Sequence, residues 1–274
     1  MTIRTRVLGK FQLHACLLGA CLLCMGLLST PMPAAGAAPV ARLNASFAPE
    51  RLGRRSTLDF GFGFSAPLGG VPPPLTGIEL RYPSNLGIGL SGLGLAFCTS
   101  TTLEASGPAD CSTESVMGRG QALTGIVLGA TTIHERAPIT IVRAPDNEGR
   151  LSLLFYSEGT TPVNTHTIFS GLLLPASSPF GGLVSIGVPL VPTLPGAPYI
   201  SVLKLHATIG PIGVTYYERS GNVTLAYQPR GILLPKSCPR GGFPFAAQFT
   251  FEDGSNSSAT TAVPCPRQQS GRKE

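Results

Sequence analysis

The seven cysteines are the residues of this 274-residue chain whose chemistry depends most directly on spacing. Three lie in one apolar stretch near the N-terminus: Cys16, Cys21 and Cys24. Four lie far downstream: Cys98, Cys111, Cys238 and Cys265. If an export signal removes the first group, an even number remains, and an even number in an exported chain predicts disulfides, here two.

The four downstream cysteines allow three pairings. We favour Cys98–Cys111 with Cys238–Cys265, because this pairing closes two modest loops and leaves each pair near the end of a predicted strand. Each bridge would add roughly 2–4 kcal/mol of stability. A zinc site would need closely spaced pairs such as C-x-x-C, and the downstream cysteines contain none. We therefore predict that the four downstream cysteines form structural disulfides.

The histidines give no comparable signal for catalysis. His134 precedes Glu135, but the second histidine of an H-E-x-x-H metal motif is missing, and no G-x-S-x-G nucleophile motif occurs. His166 and His206 fall in predicted strands, where a lone histidine is more often a satisfied or exposed residue than a base. A metal site built from the three histidines stays open as a hypothesis, because sequence does not show which residues meet in space.

The acidic residues and the glycine-rich segment are equally weak evidence for an active site. A glycosidase needs two carboxylates across a cleft, and the candidates are scattered along the chain: Glu79, Glu104, Glu135, Glu158, Glu218 and Asp253. Tyr216–Arg219 is the nearest aromatic and polar cluster in a chain without tryptophan, and we interpret it as an ordinary strand. Gly87–Gly92 matches G-x-G-x-x-G, but a polar loop follows where a dinucleotide site needs a helix.

Residues 1–37 have the three parts of a secretory signal. A basic start is followed by the apolar run Ala15–Leu28 and by small residues, with an A-x-A triplet that ends at Ala37. Cleavage there makes Ala38 the new N-terminus. The apolar run of about 14 residues is shorter than the ~20 that a transmembrane anchor needs. An uncleaved anchor and a lipoprotein signal at Cys21 remain the alternatives to a cleaved, helical signal peptide.

Composition favours short strands over helices. The chain has 34 glycines and 26 prolines, and both residues break long helices. Only 12% of its residues are charged, so the chain is too apolar to be disordered. The formal charge of +6 falls to +3 after residue 37, with 17 basic and 14 acidic residues. Because no basic stripe is interleaved with aromatic residues, no nucleic-acid partner is expected.

Alternation of apolar and polar residues is the main structural signal. In 57–64 the side chains of Leu58, Phe60, Phe62 and Phe64 share one face. Further strands are predicted at 75–82, 86–95, 120–128, 131–143, 151–156, 163–174, 183–188, 199–209, 213–218, 223–227 and 245–252. A short helix fits within 98–117, and the turn at Ser220–Asn222 predicts a hairpin.

This spacing predicts an all-β fold. We expect an antiparallel β-sandwich with Greek-key or jelly-roll connections, and a closed β-barrel is the alternative. The predicted organisation is a signal peptide at 1–37, a flexible lead-in at 38–54, the β-sandwich domain at 55–266 and a disordered polar tail at 267–274.

Two stretches carry a resemblance. Pro73–Cys98 contains a P-x-L-T-G-I strand and a glycine-rich strand that ends in cysteine, and Ile232–Phe251 contains L-P-x-x-C-P-x-G-G-F-P-F. In these patterns the chain resembles uncharacterised secreted proteins of high-GC Gram-positive bacteria, over most of residues 56–266. The resemblance implies export and a common fold, and it carries over no catalytic residue.

The sequence thus favours an exported, non-enzymatic structural or binding protein of the cell envelope or extracellular space. No cofactor, metal or membrane span of the mature chain is expected, and any partner would belong to the envelope or to the extracellular space. The alternative is a secreted hydrolase that acts on carbohydrate or another extracellular substrate. A cleft with two carboxylates about 5–10 Å apart, or with two histidines and an acid, would favour that alternative.

Overall fold

A computed structural model describes residues 37–67, 69–87, 93–161, 164–193, 196, 198–210, 215–227 and 231–266. Strands make up most of this part of the chain. They are β1 (Val40–Ala48), β2 (Arg55–Ser65), β3 (Leu75–Pro83), β4 (Val116–Leu128), β5 (Thr131–Asn147), β6 (Arg150–Gly159), β7 (Thr165–Pro175), β8 (Phe180–Gly187), β9 (Ser201–Ile209), β10 (Tyr216–Ser220), β11 (Val223–Tyr227), β12 (Ile232–Leu233), β13 (Phe243–Phe251) and β14 (Asn256–Val263). The α-helix α1 (Ser100–Ser106) is followed by 3-10 turns at Gly107–Asp110 and Thr113–Ser115. No helix in these residues is long and apolar enough to cross a membrane.

One antiparallel sheet dominates the fold. Its strand order is β1-β2-β9-β4-β5-β6-β7-β8-β3-β13-β14, and β12 adds to β2. The first and last strands of this path lie against each other, so the sheet is nearly closed as a barrel. The all-β antiparallel prediction is confirmed, and the nearly closed sheet corresponds to the predicted alternative of a barrel.

The largest corrections concern the ends of the domain. The predicted flexible lead-in at 38–54 is wrong, because Val40–Ala48 forms β1 and pairs with β2 along its whole length. Asn256–Val263 forms β14, which the sequence analysis did not predict. Both strands place small or modest side chains inward, and Phe47 is the only large aromatic among the residues of these two strands, so their alternation is faint.

The predicted glycine-rich strand at 86–95 also differs from the structure. Gly87 makes an isolated bridge with Leu233, residues 93–97 belong to no strand, and 88–92 lie outside the described residues. The predicted short helix and hairpin are confirmed by α1 and by the pairing of β10 with β11, in which Ser220 faces Val223. Residues 1–36 and the predicted tail at 267–274 are also outside the described part.

Inward-facing side chains of alternate residues fill the barrel. Aromatic rings crowd the interior beside β1, β2, β13 and β14, and we name this region the phenylalanine half: Phe47, Phe62, Phe64, Phe243, Phe245, Phe249 and Phe251. Ring centroids there lie close together, 4.8 Å apart for Phe64 and Phe249 and 4.9 Å for Phe62 and Phe249. Such offset and edge-on contacts give a dense core.

A second group of core residues packs against the outside of the barrel. Leu103 of α1 and Tyr216 of β10 cover outward residues of β5 and β6, including Val142 and Leu154. The Tyr216 hydroxyl donates to the Val116 carbonyl at 2.9 Å and accepts from the Gly94 amide at 3.2 Å. These bonds tie β10 and the 93–97 segment to the start of β4.

Two disulfides are present, Cys98–Cys111 and Cys238–Cys265, with Cα–Cα distances of 5.4 and 5.8 Å. This is the pairing that the sequence analysis favoured. Since neighbouring strands run in opposite directions, both bridges lie at the barrel end where β4 and β13 begin, which we name the disulfide end. The opposite end carries the turns β4–β5 and β6–β7 and is named the Glu135 end after the side chain described below.

Candidate functional site

The barrel interior contains a cavity of about 210 Å³. Its walls come from β2 to β9 and from β13, and they are mostly aliphatic and aromatic side chains. Native interiors are packed almost without voids larger than a water molecule. A cavity of this size within a described core is therefore the feature of the molecule that most needs a functional explanation.

Small inward residues on β4, β5 and β9 create the space. Ala122 of β4 faces Ala137 of β5 across the ladder, and Ala207 of β9 lies opposite Gly120 of β4. We name these three alanines the alanine wall. A Cβ atom at Gly120 would lie 2.5 Å from the His206 carbonyl oxygen, so only glycine permits the close approach of β4 and β9. Alternation places Ala122, Ala137 and Ala207 inward, but these side chains are too short to meet the opposite wall.

Polar groups line one end of this otherwise apolar cavity. Glu135 of β5 is only 9% exposed, and hydroxyl residues surround it at the Glu135 end: Thr124, Ser157, Thr165 and Thr167. The Glu135 Oε1 atom accepts hydrogen bonds from the Thr160 hydroxyl at 2.8 Å, the Thr161 amide at 3.1 Å and the Thr160 amide. The carboxylate thus anchors the start of the β6–β7 turn at the cavity wall.

The second carboxylate oxygen of Glu135 lies on the cavity side of Gly159. A Cβ atom built on Gly159 would be 3.4 Å from Glu135 Oε2 and 3.2 Å from Thr165 Oγ1. Because the residue is glycine, no side chain presses on these two oxygens, and both of their residues line the cavity. The space beside them is small. This space is the polar end of an apolar chamber.

At the disulfide end, Tyr82 and Met117 also line the cavity. Burial raises the pKa of the Tyr82 phenol, which therefore stays protonated at neutral pH. A Cβ atom on the facing Gly182 would lie 2.2 Å from the Tyr82 hydroxyl, so glycine leaves room for the ring. Among the described residues that line the cavity Glu135 is the only acidic one, so negative charge is confined to one end of the chamber.

The three candidate histidines do not come together. His134, His166 and His206 lie on β5, β7 and β9, and all three are exposed on the outer face. His206 pairs with Gln121 and His134 with Gly125 on the intervening β4, which separates them by about 13 Å along that strand alone. No group of three His, Cys, Asp or Glu residues in the described part could hold a metal ion.

One histidine does lie beside an acid. The Tyr156 hydroxyl donates to Glu158 Oε1 at 2.9 Å, and the Tyr156 and His166 rings stack with centroids 6.0 Å apart. Burial of the phenol, and then the hydrogen bond and negative charge of Glu158, raise the pKa of Tyr156. A phenol that holds its proton more tightly is a poorer nucleophile or base, so this outer cluster gives no support to hydrolysis.

The other candidate carboxylates are dispersed. Glu79 lies on β3, Glu104 on α1, Glu218 on β10 and Asp253 in the β13–β14 turn. Glu79 forms an ion pair with Arg81 at 2.9 Å, and Asp253 accepts from the Ser255 amide. Among the candidate carboxylates whose side chains the structure describes, Glu135 alone lines the cavity.

Two matches to the catalytic pattern S-x-x-K were overlooked in the sequence, Ser201–Lys204 and Ser270–Lys273, and the second lies outside the described residues. The Ser201 hydroxyl is buried and donates to the Pro72 carbonyl at 2.6 Å, whereas Lys204 is exposed. Because a bulge at Leu203 shifts the register of β9 against β4, Ser201 and Lys204 both point to the outer face of the sheet. The Ser201 hydroxyl is nevertheless bonded to the Pro72 carbonyl, and among the described residues no hydrogen bond joins it to Lys204.

The position predicted for signal cleavage lies at the start of the described chain. Ala37 and Ala38 are exposed and lie three and two residues before Val40, the first residue of β1, while Pro39 is already buried. The barrel therefore needs no residue before Pro39 for its first strand pairing.

No protein-family model, curated protein or solved structure matches this chain. The functional argument consequently rests on the chain's own residues. Within them, the cavity and its polar end are the site that combines enclosed space with a chemically distinct group.

The sequence analysis missed the alanine wall and the inward position of Glu135. A signal for Glu135 was present, since it is in phase with Ala137, Ile139 and Ile141 within the strand predicted at 131–143. No signal pointed to the cavity itself, because alternation identifies the face of a side chain but not the distance to the opposite wall.

Proposed function

We propose that this protein is an exported binding protein that holds an apolar small molecule inside its barrel. The single observation that carries this proposal is the cavity of about 210 Å³ beside Ala122, Ala137 and Ala207. Ligand sites in proteins are typically concave, mostly apolar and equipped with few polar groups. The chamber meets each of these criteria.

Its size sets the scale of the ligand. An apolar cavity of about 150 Å³ is dry and binds benzene, with its six carbons. By proportion, about 210 Å³ holds an apolar group of about eight carbons. Barrels of about eight strands can hold one small ligand, and this nearly closed sheet has eleven strands in its path.

Two observations support the exported part of the proposal. The Cys98–Cys111 and Cys238–Cys265 bridges require an oxidising environment to persist. The signal-like pattern that ends at Ala37 would direct the chain to such a compartment. The secreted proteins that the chain resembles fit the same location.

Methyl NMR of the purified protein tests the binding proposal. Octane added to saturation should shift the methyl resonances of Ala122, Ala137 and Ala207, because their side chains form the cavity wall. The outward Ala246 of β13 supplies the internal control and should not shift. Unchanged wall resonances, or equal shifts at Ala246, would reject an apolar ligand site.

Export has an independent test. Protein recovered from outside cells that express the full chain should begin at Ala38 and contain no free thiol. Mass spectrometry before and after thiol alkylation measures both properties. Retention inside the cell with residues 1–37 intact and four reactive downstream thiols would contradict the exported location without bearing on the cavity.

A further inference from the structure

The two oxygens of the Glu135 carboxylate have different surroundings. The three hydrogen bonds from Thr160 and Thr161 all end on Oε1. Oε2 lies 3.4 Å from the position that a Cβ atom of Gly159 would take, beside the Thr165 hydroxyl oxygen. The chain thus fixes the carboxylate through one oxygen and presents the other to the small space at the end of the cavity.

The charge of Glu135 has no cationic partner among the described residues. The ion pairs of this part of the chain join Arg81 to Glu79 and Arg143 to Asp146. On β5 itself, His134 and Arg136 alternate with Glu135 and are exposed on the outer face. Hydrogen bonds from neutral donors compensate a buried carboxylate only in part, because burying a charge is costly unless it is paired as well.

We infer that the ligand is an amphiphile whose head group is a protonated amine, which donates a hydrogen bond to Glu135 Oε2 while its apolar part fills the space beside the alanine wall. This inference rests on the proposed function. A cation supplies the charge partner that Glu135 lacks, and the hydrogen bond between two ions is among the stronger kinds. A fatty acid would place a second negative charge against Glu135, where low dielectric strengthens repulsion.

The surroundings of this space fit an ammonium group. An ammonium has three donors and no acceptor. Glu135 Oε2 and Thr165 Oγ1 are acceptors that both face the Gly159 position. Glu135, Gly159 and Thr165 all line the cavity, and a methyl group at Gly159 would crowd both oxygens and hinder a head group that approaches them.

Three probes of equal length separate the head-group chemistries: octylamine, 1-octanol and octanoate. Isothermal titration calorimetry at neutral pH should give the highest affinity for octylamine and the lowest for octanoate. A hydrogen bond to a charged group contributes enough for a difference of about 10- to 100-fold between octylamine and octanoate.

Two variants locate the effect. Glu135→Gln keeps the side-chain size and an acceptor for Thr160 but removes the charge, so octylamine affinity should fall about 10- to 100-fold. Gly159→Ala keeps the charge but fills the head-group space, and octylamine affinity should fall about tenfold. Glu158→Gln on the outer face is the matched control and should leave octylamine affinity unchanged. Thermal unfolding of each variant verifies that it is folded.

The outcomes distinguish this inference from the proposed function. Octanoate binding as tightly as octylamine, or unchanged octylamine affinity in folded Glu135→Gln and Gly159→Ala, overturns the amine inference. If octane still shifts the alanine methyls, the apolar binding function stands. If neither octane nor any probe binds, both proposals fail together.

Discussion

The phenylalanine half and the alanine wall line the same barrel interior by the same alternation of side chains, yet they have opposite consequences. Phe62, Phe64 and Phe249 meet ring against ring and leave a dense core. Ala122 and Ala137 face each other across a ladder and leave an enclosed space. Side-chain volume at inward positions therefore separates a densely packed part of this barrel from a part that contains the cavity.

The largest expected effect belongs to the phenylalanine half. Phe249→Ala should lower the free energy of unfolding by about 3–5 kcal/mol, because it removes a buried ring that contacts Phe62 and Phe64 and leaves a cavity. Urea denaturation measures the change. Phe97→Ala is the matched control, since Phe97 is 60% exposed, and its effect should be small. Equal losses in the two variants would show that the rings are not the main source of stability.

The disulfides should have the next largest effect. Replacing both cysteines of either bridge with serine should cost about 2–4 kcal/mol, because each bridge restricts the unfolded chain. The Cys238–Cys265 loop spans 27 residues in sequence and the Cys98–Cys111 loop 13. Loop entropy makes loss of the longer bridge more costly by about 0.6 kcal/mol.

Denaturation of both double variants under the same conditions tests this order. Because the Cys238 side chain also packs against the phenylalanine half, its bridge connects that core to the C-terminal strand. If removal of the Cys98–Cys111 bridge lowers the free energy of unfolding more, the bridge beside α1 is the stronger constraint on the unfolded chain.

A smaller loss of stability is expected for a substitution of Tyr216, which lies outside the barrel. Tyr216→Phe removes the hydroxyl that donates to Val116 and accepts from Gly94, and should cost about 1 kcal/mol near neutral pH. Binding of octane should not change, because Tyr216 does not line the cavity. Reduced octane binding in a folded Tyr216→Phe variant would show that the contacts of Tyr216 and the cavity are coupled.

The free energy of unfolding of Tyr216→Phe should also depend on pH differently from that of the unsubstituted chain. Burial raises the pKa of Tyr216, so above about pH 10 the unfolded chain releases a proton that the folded chain retains. The free energy of unfolding therefore falls as pH rises through that region, and the fall should be shallower in Tyr216→Phe. Denaturation at neutral pH and at alkaline pH measures the difference. An equally steep fall would assign the alkaline loss to other groups, such as Tyr82 and Tyr156.

The sequence predicted the fold better than the site because alternation is local and cavity formation is not. The phase of Leu58, Phe60 and Phe62 followed directly from their spacing, and so did the all-β class. β1 and β14 were missed because their stability comes from pairing with distant strands rather than from large side chains of their own. Ala137 and Glu135 lie on a correctly predicted strand, but their role depends on what faces them across the barrel, which no local pattern records.

The central claim is that the interior is filled around Phe249 and empty beside the alanines. The same substitution tests both regions: Ala247→Leu, between Phe245 and Phe249 on β13, and Ala137→Leu in the alanine wall. Ala247→Leu should lower the free energy of unfolding by about 1–3 kcal/mol through overpacking. Ala137→Leu should leave it unchanged or raise it by up to about 2 kcal/mol, because the added methyl and methylene groups enter existing space.

Urea denaturation of the two variants, with Ala246→Leu as the outward control, is therefore the most direct measurement. The account predicts that only Ala247→Leu is destabilised and that Ala137→Leu also loses octane binding. Destabilisation of Ala137→Leu equal to that of Ala247→Leu would contradict it, because the space beside the alanine wall would then be as full as the phenylalanine half.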